Sequence, residues 1–145
     1  MKTYQFPLAT VKRIRNLEER LARERLLEAQ RELRRAQGVY RTAHHALATN
    51  LGLQAPTTVE NFQWLHDQTT RLGVTLHESA AELLRAAAER DQVNQSWSAA
   101  RRRSEVLTRL DAEAISQWRE LARREEVAEL DDLTSARYSW EGATS

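Results

Sequence analysis

From Phe62 to Ala128 the hydrophobic positions keep one seven-residue repeat without a slip. With Phe62 at position a of a heptad, the a and d positions are Phe62, Leu65, Thr69, Leu72, Leu76, Ser79, Leu83, Ala86, Arg90, Val93, Trp97, Ala100, Ser104, Leu107, Asp111, Ala114, Trp118, Leu121, Glu125 and Ala128. Fourteen of these twenty are apolar, against about eight expected by chance at 41% hydrophobic content. A strict 3.5-residue period marks a supercoiled helix pair, whereas a globular-domain helix carries a wider stripe. The pattern predicts a rod with a structural seam of Phe62, Leu65, Leu72, Leu76, Leu83, Val93 and Trp97.

A second, less regular pattern lies upstream. Val11, Ile14, Leu17 and Leu21 form an opening apolar stripe. The seam then resets at Leu26 and continues through Ala29, Leu33, Ala36, Tyr40, Ala43 and Leu47. Pro7 suits a first helical position, because its missing N–H costs nothing there. Gly52 is the expected stop, since glycine tolerates the left-handed conformation found past helix ends. Leu53 to Pro56 reads as a loop. Thr57 and Glu60 then fit a capping box, in which hydroxyl and carboxylate satisfy each other's free amides.

The expected fold is all-α: two long helices in an antiparallel coiled-coil hairpin, the second overhanging the first. The first helix covers about 7–51, the loop 52–57 and the second helix about 58–135; 136–145 is a flexible tail, and 1–135 form a single domain. Gly73 lies inside the second helix without breaking its phase. Pairing about a loop centre near residue 54 sets Leu47 against Phe62, Leu33 against Leu76 and Ile14 near Val93. The segment after Ala100 would then project roughly 50 Å beyond the first helix, at about 1.5 Å per residue. Its seam residues would need a partner from another chain.

Composition supports this architecture. Thirty per cent charged residues with 4 Gly and 2 Pro is typical of long helices. A net charge of +1 gives no single-signed field for nucleic acid or acidic lipid. The absence of Cys excludes disulfide and thiolate chemistry. No apolar run reaches the ~20 residues of a membrane span, so direct membrane insertion is not expected. His44, His45, His66 and His77 lack metal-ligand spacing. No phosphate loop or nucleophile elbow occurs, and a two-helix rod desolvates carboxylates too weakly for acid–base work. Neither catalytic activity, a metal nor a cofactor is expected.

Candidate contacts are therefore surface residues. Trp64 falls outside the seam near the hairpin tip, where an exposed tryptophan favours a binding hot spot. Arg101, Arg102 and Arg103 flank the seam. They read either as a solvated face or as an electrostatic docking patch. Trp97 reads first as packing, whereas Trp118 on the expected overhang reads equally as a partner contact.

Phe6-Pro7-Leu8-Ala9-Thr10-Val11 followed by Ile14-Arg15 and Glu18-Glu19, then Trp97 with Arg101 to Arg103, Leu107 and Leu110, resemble segments of the flagellar export protein FliJ family. Arg123-Arg124-Glu125-Glu126 and Glu129-Leu130-Asp131-Asp132-Leu133 complete the resemblance, which spans essentially the whole chain. Lys12 departs from the apolar residue usual at its position. The resemblance implies a non-enzymatic stalk of the flagellar type III export apparatus, cytoplasmic and associated with the inner face of the cell membrane at the flagellar base. Its implied partners are the export ATPase hexamer, the export gate membrane protein and substrate chaperones, with no nucleic acid. Geometry then assigns Arg101, Arg103, Leu107, Trp118 and Leu121 to the ATPase ring and Trp64 to the gate. The alternatives are the equivalent stalk of a virulence secretion system and a generic coiled-coil scaffold.

Overall fold

A computed structural model describes residues 3–53 and 56–143. Two long helices packed against each other make the fold all-α, α1 (Ala9–Leu51) and α2 (Val59–Ala143), with no strand among the described residues.

The helix ends follow from local hydrogen bonding. The Ala9 amide donates to the Phe6 carbonyl at 3.1 Å and the Lys12 amide to the Leu8 carbonyl at 2.8 Å, so Pro7 stands in the turn that precedes α1. At the other end the Gly52 amide donates to the carbonyls of Ala48 (3.1 Å) and Thr49 (3.2 Å), and that of Leu53 to Asn50 (3.3 Å). The last turn thus tightens to satisfy its carbonyls. No described glycine adopts a positive φ, which corrects the expectation of a left-handed Gly52 stop. The expected loop, Leu53 to Pro56, lies partly outside the described residues.

Thr58, not Thr57, caps α2: its hydroxyl accepts from the Asn61 amide at 3.2 Å, and its carbonyl accepts from the Phe62 amide at 3.0 Å. Two adjacent threonines offer the same hydroxyl, and the sequence pattern alone does not separate them. Glu60 still lies in the first turn, where its charge opposes the helix dipole. α2 continues past Ser135 into the segment expected to be a flexible tail, and remains helical to Ala143. No proline or glycine occurs between Ser135 and Gly142 to end it. The hydroxyls of Thr134 and Ser139 donate to the Leu130 and Ala136 carbonyls of the same helix, at 2.7 and 2.9 Å.

The chain divides into two compact units. The hairpin unit, Glu18–Arg101, pairs most of α1 with the first half of α2 in antiparallel fashion. Leu26, Ala29, Leu33, Ala43 and Asn50 supply its buried α1 face. On α2 the heptad positions Leu65, Leu72, Leu76, Ser79, Leu83, Ala86, Val93, Trp97 and Ala100 are all half-buried or buried. Leu and Ala alternate on α1, so the helices approach closely. Phe62, the first residue of the expected seam, is exposed instead. The turns from Val59 to Trp64 are helical but carry no buried residue.

That unpaired start corrects the expected register. Asn50 meets Thr69, and Glu19 meets Trp97. Counting outward from residue 54 assumed that pairing begins at the loop, whereas α2 makes its first turns before pairing starts.

The terminal unit combines Met1–Leu17 with Arg102–Ser145. Here Asn16 meets Ser104 and Lys12 meets Asp111, so the chain on either side of Ile14 pairs with residues 104–111 of α2, which corrects the alignment expected from the loop. Residues 104–118, expected to overhang, therefore pair with the N-terminal segment. The open stretch of the α2 seam begins at Leu121; Ala122 is half-buried, and residues 123–140 are exposed throughout. A second correction concerns the apolar stripe of α1. Ile14 and Leu17 are 51% and 56% exposed, and Val11 is exposed as well, while Lys12 and Asn16 face α2. Leu21, in the hairpin unit, is exposed too.

Gly73 gives a direct test of helix energetics. A Cβ at this position, or at Gly38, meets nothing within 4 Å. Gly73→Ala is expected to stabilise the helix by about 1 kcal/mol. Thermal unfolding followed by circular dichroism should show a rise of about 2–4 °C; a fall would mean that the backbone at Gly73 is not regular helix.

Candidate partner-binding surface

Three of the polar heptad positions of α2 find a polar partner on the facing part of the same chain. In the hairpin unit the Asn50 side-chain amide donates to the Thr69 hydroxyl at 2.8 Å, and that hydroxyl donates in turn to the Leu65 carbonyl at 2.8 Å. In the terminal unit the Ser104 hydroxyl donates to the Asn16 side-chain oxygen at 2.5 Å. Asp111 is held twice: by the Lys12 ammonium at 2.5 Å and by the Tyr4 hydroxyl at 2.8 Å. Ser79 satisfies itself on the Leu76 carbonyl. No buried side-chain nitrogen or oxygen among the described residues is left unpaired.

The Tyr4 ring also packs against Trp118, with centroids 6.0 Å apart and planes tilted by 56°. The segment before α1 is thus tied to α2 mainly through side chains. Phe6, Pro7 and Leu8 line a shallow groove there with Leu110, Ala114 and Gln117. Hydrogen bonds from Lys12 and then Tyr4 hold the Asp111 carboxyl below its ordinary 3.8, outweighing a smaller opposing push from burial. Burial first, then the hydrogen bond to Asp111 and the Asp111 charge, raises Tyr4 above its ordinary 10.0.

The residues singled out from sequence occupy different settings. Trp64 is 58% exposed on the unpaired first turns of α2, where Phe62 stacks on His66 at 6.4 Å. Arg101 lies 5.4 Å from the Trp97 ring centre, a cation–π contact, and the Trp97 indole N–H donates to the Glu19 carboxylate at 2.9 Å. Arg103 is exposed. Leu107 is buried, with 8% exposure, inside the terminal unit. Trp118 is half-buried under Tyr4, and Leu121 is 58% exposed. No single site gathers these residues. Trp64, Arg101 and Trp97 belong to the hairpin unit, and Arg103, Leu107, Trp118 and Leu121 to the terminal unit.

Sequence reasoning missed Tyr4, Lys12, Asn16, Glu19 and Asn50 as pairing residues. A polar residue inside an apolar seam demands a polar partner, so Thr69, Ser104 and Asp111 were the available signal for Asn50, Asn16 and Lys12, and the indole N–H of Trp97 for Glu19. Tyr4 lies outside any helical period and gave none.

An antiparallel helix pair with polar cross-links in its seam and an exposed continuation of one helix defines a coiled-coil protein. A model of the flagellar FliJ protein family matches residues 4–142, and the chain belongs to that family. It is accordingly a non-enzymatic component associated with flagellar protein export. No curated protein and no solved structure matches it. No described helix is long and apolar enough to cross a membrane.

Two outcomes follow from this geometry. Lys12→Leu or Asp111→Leu alone should lower stability, because each strands a charge in the seam. The double substitution should recover most of the loss; additive losses in chemical unfolding would show that the two side chains do not meet. Asp111 binds its proton less readily folded than unfolded, so its stabilising share is complete above about pH 4 and lost as pH falls through the folded value. Tyr4 has the opposite sign: its share is present below about pH 10 and lost as pH rises through its raised value. Asp111→Asn should therefore flatten the acid limb of the melting-temperature profile; an unchanged limb would contradict the assignment.

Trp97 offers a third test. Its ring is half-buried, so Trp97→Ala should cost about 2–4 kcal/mol, at or below the range for a fully buried ring. Trp97→Phe keeps most of the packing and should cost about 1 kcal/mol for the lost bond to Glu19. Equal costs, measured by chemical unfolding, would mean that packing contributes little.

Proposed function

We propose that the protein is a stalk-like cytoplasmic component of the flagellar type III export apparatus. It binds the export ATPase ring, promotes the ring's assembly and activity, and links it to the export gate and substrate chaperones at the inner face of the cell membrane. One observation supports this reading beyond the family itself: the α2 seam continues past the paired stretch into an exposed one. Leu121 and Ala128 keep the heptad phase of Leu107 and Trp118 but face open solvent. A soluble chain keeps such a stripe exposed at an energetic cost, of order 25 cal/mol per Å2 of apolar surface, which a partner recovers.

Leu121 is the first open seam residue and the leading ring contact in this proposal, with Trp118 bordering it. Leu107 supports that end through packing, since its side chain is enclosed. Arg101 and Arg103 supply positive charge along α2. Trp64 is the contact proposed for the gate.

The test is ATP hydrolysis by the purified export ATPase with the full chain and with two variants that retain their helical spectra. The full chain should stimulate hydrolysis. Leu121→Asp should weaken the concentration dependence of that stimulation by about tenfold or more, as expected for a hot-spot residue. Trp64→Ala should leave stimulation intact while weakening binding to the cytoplasmic part of the gate protein. A folded full chain without effect on hydrolysis would overturn the proposal.

A further inference from the structure

The open end of the seam contains an acid at a core position, and the paired part shows how this seam accommodates one. Asp111 occupies position a and is met by Lys12 from the facing helix. Glu125 occupies position a two heptads later and is exposed. The nearest arginines of its own helix turn elsewhere: Arg123 and Arg124 reach Glu120 at 3.5 and 3.2 Å. Leu121 and Ala128 are the apolar seam positions on either side. Their large and small side chains alternate as Leu107 and Ala114 do where α2 is paired.

From this continuity we infer that the stretch Leu121–Ala128 receives an amphipathic partner helix carrying a Lys or Arg opposite Glu125. The partner extends the groove that α1 fills nearer the N-terminus and repeats the Lys12–Asp111 arrangement across chains. The charge of the stretch from residue 125 to 132 disfavours the simplest alternative, a second copy of the same segment aligned in parallel and in register. From Glu125 to Asp132 it holds five carboxylates and no base, so two such segments would set like charges against each other. A basic helix instead meets complementary charge at Glu125 and at Glu129 and Asp131 on the flanks of the seam, with Arg124 the one base there. This deepens the proposed ATPase contact by naming its recognition element, and rests on that reading only for the partner's identity.

The experiment uses the full chain and two synthetic amphipathic helices of roughly four heptads, identical except for Lys or Glu at the position facing Glu125. The Lys peptide should bind roughly tenfold more tightly than the Glu peptide. Glu125→Lys should reverse the preference, while the neighbouring off-seam change Glu126→Lys should not. Equal binding of both peptides, binding of neither, or reversal by Glu126→Lys as well would overturn the inference. Sedimentation showing self-association that Leu121→Asp abolishes would also overturn it, in favour of a second copy. Stimulation of the ATPase by the same proteins reports separately on the proposed function, so either reading can fail while the other stands.

Discussion

The pairing of polar groups within the seam is the constraint on which the rest of the structure depends. A seam of leucine and alanine alone tolerates sliding by a heptad, because every alignment buries similar surface. Thr69, Ser104 and Asp111 remove that freedom. Each would lose about 1–3 kcal/mol if buried without a partner, and each is matched: by Asn50 in the hairpin unit, and by Asn16 and Lys12 with Tyr4 in the terminal unit. The burial of apolar surface holds the helices together, and the polar pairs decide which residues meet.

The same constraint explains the orientation of the beginning of α1. Apolar preference alone would turn Ile14 and Leu17 toward α2. Doing so would rotate Lys12 and Asn16 away and leave Asp111 and Ser104 without partners. A stranded carboxylate costs more than two half-exposed aliphatic side chains, so the polar face wins. Lys12, a charged residue beside the apolar Val11 and Ile14, is complementary to Asp111. The two departures from apolar seam character are one interaction.

Much of this was legible in the sequence. The 3.5-residue period from Leu65 to Trp118 located the buried face of α2 correctly, because a helix pair must bury a stripe of that period. The family could be recognised from the segments around Phe6-Pro7-Leu8 and Glu129 to Leu133. The register was not legible. It depends on where pairing begins, and the helical but unpaired turns from Val59 to Trp64 look the same in sequence as paired ones. The cap moved from Thr57 to Thr58 for an equally local reason. The binding surface was the hardest to read. Placing the start of the open seam at Leu121 requires the register, so the enclosed Leu107 and the exposed Leu121 look alike in sequence.

The register is the central claim, and the absence of native cysteine makes it directly measurable. Asn16→Cys with Ser104→Cys places two thiols where side chains now meet at 2.5 Å. Ile14→Cys with Val93→Cys tests the alignment obtained by counting from the loop. Mild oxidation should close the first disulfide rapidly and the second not at all, since a bridge needs Cα atoms within about 7 Å. Rapid closure of the second pair with none of the first would contradict the account, because the polar residues would then not set the alignment of the helices.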